Sequence, residues 1–456
     1  MKRFLLLFLA ASLSVGASAQ RRNNQRSRKG DEPAVYIISV RETDTLYRDT
    51  PRYGASSAGQ SLTEQKNVSV RRAIQDHRET MRHGFQQVAE PSVIFANNRN
   101  TFSFAIGGYV NLRLAYGFNS TIDNLDVVPY DIPMAPDYAT GQKLEMDAST
   151  SRVYFRGIAN SRRLGRVVIF FDADFRGGRP GSYTPRLRSG YVSLLGLTVG
   201  RDISTFCDLT AAPHTIDFRG PNAYNFNFAT VLRYEFSFAR DHMKMGLAAE
   251  LPHVSATYGD TFAPIPQRVP DFPIYLQVAW GKNRQSHIRA SAVFRDMYLH
   301  NVTAGSNTSL FGWGVQASGN IHIGRVFQLF FNGVYGEGIT PYIQDLTGSG
   351  LDFTPNPLRS TSVQTMPMYG WQAAAQINLW RTVSISGGYS AVTVCKRNGY
   401  YAADEYRMGQ YVFGNILCNI TRRFQIAGEY LWASRKNMDG LKHHGQRVNV
   451  MMQYNF

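Results

Sequence analysis

The chain closes on the decapeptide RVNVMMQYNF. Val448, Val450, Met452, Tyr454 and Phe456 share one parity, and Arg447, Asn449, Met451, Gln453 and Asn455 share the other. Period-two alternation marks a β-strand with two unlike faces. The pattern recurs along residues 100–456. Val110, Leu112, Leu114, Tyr116 and Phe118 alternate with Asn111, Arg113 and Asn119, and Val167, Ile169, Phe171 and Phe175 with Arg166, Asp172, Asp174 and Arg176. Leu232, Tyr234 and Phe236 alternate with Arg233 and Glu235, and Phe424, Ile426, Tyr430 and Trp432 with Gln425 and Glu429. About sixteen such segments of roughly ten residues follow one another, with centres running from Leu112, Phe155 and Ile169 to Ile416, Ile426 and Val450. Tight connections alternate with long ones at 120–143, 203–224, 252–270, 337–366 and 391–405. That rhythm predicts an antiparallel meander with its tight turns at one end and its loops at the other.

Before residue 100 the pattern is different. Residues 1–19 combine Lys2 and Arg3, an apolar run from Phe4 and the small residues Ala17, Ser18 and Ala19, which reads as a secretory signal peptide. Residues 20–99 are expected to form a periplasmic extension. It holds the polar tract RRNNQRSRKGDEP, too poor in apolar residues to fold, a short strand at 34–40 and a helix over about 63–90. Val70, Ile74, Met81, Phe85 and Val88 recur at helical spacing, but His77 and Gly84 interrupt the seam, so a single surface helix and a short trimeric coiled coil both stay open.

A leader, a charge-rich polar parity and aromatic residues at segment ends together point to an outer-membrane location. The apolar parity then faces lipid and the polar parity a water-filled lumen. Lipid offers no hydrogen bonds, so the sheet must close on itself. The predicted fold class is all-β: a transmembrane antiparallel up-and-down barrel of about sixteen strands, wide enough for an aqueous channel. The final strand must pair with the first.

Charge adds a direction. The chain carries a net +16. Arg113, Arg152, Arg156, Arg176, Arg233, Arg289 and Arg295 fall on the inward parity, with Arg186 and Arg188 beside them. Against them stand Asp172, Asp174, Glu235, Glu250 and Glu429. One reading is that these charges brace each other along the wall. The other is an arginine-lined path for small anionic solutes, because guanidinium stays charged at any relevant pH. A symmetric turn at SRRLG would set Arg156 opposite Asp172. The leader removes nucleic acid as a partner and makes outer-membrane lipid one. Cys207, Cys395 and Cys418 fit no zinc spacing; free thiols are expected, with a Cys207–Cys395 bridge left open. No metal motif or phosphate-cradling glycine loop appears, so no cofactor is expected. His214, His443 and His444 and the scattered carboxylates single out no nucleophile, so the chain is not expected to be an enzyme. A structural or adhesive barrel with an occluded pore is the rival, kept open by the long 337–366 connection and the N-terminal region.

The stretch RLRSGYVSLLGLTVGRDISTFCDLTAAPHTIDFRGPNA, residues 186–223, is similar to the mid-region of DcaP-like and phosphate-selective-type trimeric porins. An arginine-bearing strand leads into a glycine-containing strand, a Ser/Thr-Phe step and an Asp-Phe-x-Gly-Pro turn. GYVNLRLAYGF and SRVYFRGI resemble that family's first two strands. The resemblance implies a homotrimer of sixteen-stranded barrels passing small, often anionic, solutes. It also implies a constriction made by an infolded loop, for which residues 203–224, with Asp217 and Arg219, are the candidates.

Overall fold

The alternation becomes geometry in a computed structural model of the chain, which describes residues 35–39, 62–82, 84–88, 90–91, 93–97, 101–119, 126–135, 139, 141–179 and 181–456. The predicted leader and polar tract lie outside these residues. Sixteen barrel strands follow in chain order. They are β1 (Phe102–Gly117), β2 (in two segments, Lys143–Asp147 and Arg152–Ser161), β3 (Gly165–Asp174), β4 (Arg186–Leu194), β5 (Leu197–Ile203), β6 (Phe228–Phe238), β7 (Met243–Glu250) and β8 (Phe272–Trp280). The second half holds β9 (Ser286–Asn301), β10 (Ser306–Ile323), β11 (Phe327–Glu337), β12 (Pro367–Asn378), β13 (Val383–Val394), β14 (Tyr406–Asn419), β15 (Phe424–Asn437) and β16 (Lys442–Asn455). Each predicted segment centre falls in its own strand. β16 pairs antiparallel with β1, Val450 opposite Leu114, and Phe456 exchanges backbone hydrogen bonds with Gly108 at 3.0 and 3.2 Å. The terminal strand is therefore fixed by closure.

The two parities separate as the alternation requires. Val110, Phe155, Ile169, Leu232 and Phe294 stand outward and exposed, while Arg113, Asp172, Arg233 and Gln316 are buried inside. This inverts a soluble barrel and suits hydrocarbon outside. Among the described residues no helix is long and apolar enough to cross a membrane, so crossing falls to strands.

Two expectations about the loops are corrected. β9 to β10 and β15 to β16 are joined by short connections, 302–305 and 438–441, at the loop end. β9 and β10, 16 and 18 residues long, raise the wall themselves instead of ending in a loop. The lumen wall is also not wet all round. Val293, Val334, Met368, Val392 and Val394 point inward from β9, β11, β12 and β13 and are buried under Phe206, Ile339, Tyr342 and Leu346. Residues 204–227 and 338–366 fold inward and supply that apolar cover, as residues 126–132 do against β11, β12, β14 and β15.

The helix α1 spans Leu62–Glu79, shorter than its periodicity suggests. Val70, Ala73 and Ile74 pack on Ile94, Ala96 and Ala105, so this face is covered by the chain's own strands rather than presented to a coiled coil. Thr80 hydroxyl bonds to the Asp76 and His77 carbonyls mark the helix end, and Phe85 and Val88 lie beyond it. Strand Val93–Asn97 then pairs with Val35–Ser39 on one side and with β1 on the other. Cys207, Cys395 and Cys418 are all free; the bridge left open in the sequence does not form.

Candidate solute pathway

Residues 204–227 form the third loop, and side chains from across the barrel draw it into the lumen. Asp208 accepts from Thr210 N and Ser318 Oγ and meets His287 Nε2 at 2.8 Å. Glu429 of β15 accepts from the backbone N–H groups of Ile216 and Asp217 at 2.9 and 2.8 Å. Tyr411 donates to Asp217 at 2.9 Å, Ser390 Oγ accepts from Ala223 N, and Asn332 donates to Ala223 O. A loop tied to β9, β10, β11, β13, β14 and β15 spans the bore. Burial, with Asp126 and Glu429 nearby, pushes the Asp217 carboxyl above its ordinary range. This stretch, offered in the sequence as the infolded loop, lies against the inner wall, and its Asp217 is an anchor. Arg219 follows in the same turn, its backbone N–H on Asp217 Oδ1 at 3.3 Å.

Opposite the loop stands the arginine wall of β1 to β6. Arg113 pairs with Asp126 and Asp147 at 3.0 and 3.2 Å, and Arg176 reaches Asp126 at 2.5 Å. Arg152 pairs with Asp172. Arg186 and Arg188 share Asp174 at 2.6 and 3.1 Å, and Arg233 pairs with Asp202 at 2.5 Å. Arg156 has no carboxylate in ion-pair reach among the described residues; it lies over Phe170 and donates to the His77 carbonyl at 3.4 Å. The predicted Arg156–Asp172 pairing is replaced by Arg156 opposite Phe170. The SRRLG hairpin closes Ser161 on Gly165 with three residues between, and Gly165 takes the left-handed φ of +65° that this turn needs. A turn centred on Arg163 sets Arg156 against Phe170, since facing Asp172 would need the centre at Leu164, and Arg152 takes Asp172.

Arg289 and Arg295 stand apart from this wall. Arg289 stacks over Tyr275 at 3.7 Å and donates to Ser291 and to the Thr205 carbonyl. Arg295 is locked between Asp271 and Asp352 at 3.1 and 3.2 Å beneath residues 338–366. Both act as braces for infolded loops.

Wall and loop meet at Phe218. The guanidiniums of Arg113, Arg176 and Arg188 lie 5.6, 5.0 and 5.0 Å from its ring centroid. Phe218 carried no strand-parity signal, and its place within the Asp-Phe-x-Gly-Pro turn was the sole hint of it.

The N-terminal segment also enters here. Arg82 pairs with Asp202 at 2.7 Å, Phe85 packs edge-on to Tyr224 at 5.7 Å, and Gln86 donates to the Phe218 carbonyl. Sequence patterning placed Phe85 on a helical seam, and only the tertiary fold shows it inside the barrel mouth. A cavity of about 540 Å³ opens beside the segment, bounded by Phe85, Gln86, Arg113, His214, Phe218 and Trp380.

Comparison with known proteins agrees with this fold. The outer membrane channel DcaP of Acinetobacter baumannii superposes with a TM-score of 0.68 at 18% identity, over 78% of this chain and 97% of that one. A loop-deletion form of OmpT from Vibrio cholerae gives 0.50 at 10% identity, and an anion-selective porin from Comamonas acidovorans 0.50 at 12%, each over 78% of this chain and 100% of the other. Among curated proteins no sequence matches. The fold shared with these structures is the closed antiparallel β-barrel, and the chain is an outer-membrane β-barrel. Residues 93–256 match the DcaP outer membrane protein family, beginning after the segment that carries Gln86. Over those residues the chain resembles that family.

Proposed function

We propose that the chain is a passive diffusion channel for small hydrophilic solutes with a preference for anions, acting as a homotrimer in the outer membrane. Residues 1–19 serve as its signal peptide, residues 20–99 as its periplasmic extension and residues 100–456 as its lipid-embedded barrel. The observation that carries the anion preference is the convergence of Arg113, Arg176 and Arg188 on Phe218 where loop and wall meet. A ring of guanidinium at a narrow point lowers the barrier for anions and raises it for cations. The aspartates behind these arginines fix their positions and offset their mutual repulsion, so the bracing and the pathway readings describe the same residues. Trimeric assembly rests on the family resemblance. Purified protein in planar bilayers under a salt gradient tests the preference: the reversal potential is expected on the anion side, and a cation-side value overturns the preference while leaving the barrel intact.

A structural or adhesive barrel with an occluded lumen is the second reading. The entry of Arg82, Phe85 and Gln86 into the barrel mouth favours it. Absence of any conductance step in the same bilayers would select it.

A further inference from the structure

We infer that Arg152 and Arg188 form an oxyanion-binding site on the lumen wall, and that Gln86 occupies it as a tethered stand-in for the solute. The inference rests on the anion-channel reading and assigns it a place. The main-chain oxygen of Gln86 accepts from Arg152 Nη1, and its side-chain Oε1 accepts from Arg188 Nη2 at 2.6 Å. Two oxygens on one residue each take a guanidinium N–H, as two oxygens of a carboxylate or phosphate do. The amide is an incomplete substitute. Nε of Arg188 and of Arg156, both on nearly fully buried residues, have no hydrogen-bond partner. A buried donor left unmet is costly, and an anion with more lone pairs can meet it.

The surrounding segment is shaped to hold Gln86 there. Gly84 has a φ of +118°, and a Cβ on it would sit 3.0 Å from the Leu209 carbonyl oxygen and the Thr210 Cα of the third loop. Phe85 is buried against Tyr224 and Ala212. Arg82 is paired with Asp202, which also holds Arg233. Gln86 itself has a left-handed φ of 58°, an unfavoured backbone for a residue with a side chain. The gap left between the segment and the wall is about 20 Å³, room for roughly one water. A solute passing along this wall must therefore replace Gln86, and the segment is a plug that competes with the cargo.

The test uses the full chain in planar bilayers. Gly84→Val and Phe85→Ala weaken docking, and mean conductance is expected to rise roughly twofold or more as the narrow route clears. Gln86→Glu puts a carboxylate between the guanidiniums and is expected to lower conductance below the parent. Inorganic phosphate at constant ionic strength is expected to raise the open fraction of the parent, and Gln86→Glu to require more of it. Heat-modifiable gel mobility confirms that each barrel is folded. Unchanged conductance in all three variants, with an anion-selective parent, overturns the site and leaves the channel reading standing. A cation-selective parent overturns the anion preference and the oxyanion site with it.

Discussion

Arg295 shows what a charged side chain does inside this barrel. It is buried, paired with Asp271 and Asp352, and it donates to the carbonyls of Gly338 and His253. Arg295→Ala leaves two buried carboxylates without their partner and is expected to cost about 3–5 kcal/mol, read as a lower midpoint of denaturant unfolding in detergent. Asp217 behaves differently. Burial and the charges of Asp126 and Glu429 raise its folded-state pKa, against the pull of the Tyr411 hydroxyl and Arg113. The folded protein then binds more protons than the unfolded chain above the ordinary carboxylate pKa of about 3.9, so this group's contribution falls as pH rises from there toward the raised value. Docking of the third loop is expected to loosen on alkalinisation through that window, seen as noisier single-channel traces, and Asp217→Asn is expected to flatten the dependence. Parity set Arg113, Arg152, Arg156 and Arg233 on the inward face, and all four are buried in the fold. The partners of Arg113 and Arg233 were not legible, because Asp126 and Asp202 lie at or beyond strand ends, and Arg156 misses Asp172 because the turn is centred on Arg163 rather than Leu164.

At the scale of elements, two attachments decide the shape of the bore. Glu429 holds the third loop through Ile216 N and Asp217 N and is itself held by Asn415 and Asn449. Glu429→Ala strands two backbone donors at about 1–3 kcal/mol each, and frequent closures or flicker in single-channel recordings are the expected sign. α1 is attached by Ile74 on Ile94 and Ala105 and by Asp76 and Glu79 on Arg166 at 2.7 and 3.0 Å. Ile74→Asp is expected to release it, so that limited trypsin cuts at Arg71 and Arg78 while the barrel band survives. The strands were readable because alternation is local. The infolded loops were not, apart from the resemblance at residues 186–223, because their cover of Val293, Val334 and Val392 joins residues far apart in sequence.

For the molecule as a whole, closure is the governing fact. β16 supplies the hydrogen-bond partners of Tyr109–Gly117 in β1, and in hydrocarbon each unmet backbone group costs several kcal/mol. Loss of residues 447–456 is expected to abolish the compact heat-modifiable form altogether rather than to weaken it. This outcome was legible from the final decapeptide, since an amphipathic terminal strand needs a partner. The contents of the bore were beyond reach of the same logic, because they depend on which segments return to it.

The segment bearing Gln86 is fastened at both ends, by α1 on one side and by strand Val93–Asn97 hydrogen-bonded to β1 on the other. It cannot drift away when displaced; it swings and returns. A short tether of this kind gives its side chain a local concentration on the order of millimolar. A dissolved rival of similar strength prevails when its own abundance climbs into that range. The channel would thus stay shut in scarcity and yield to plenty, a threshold set by chain length rather than by any sensor.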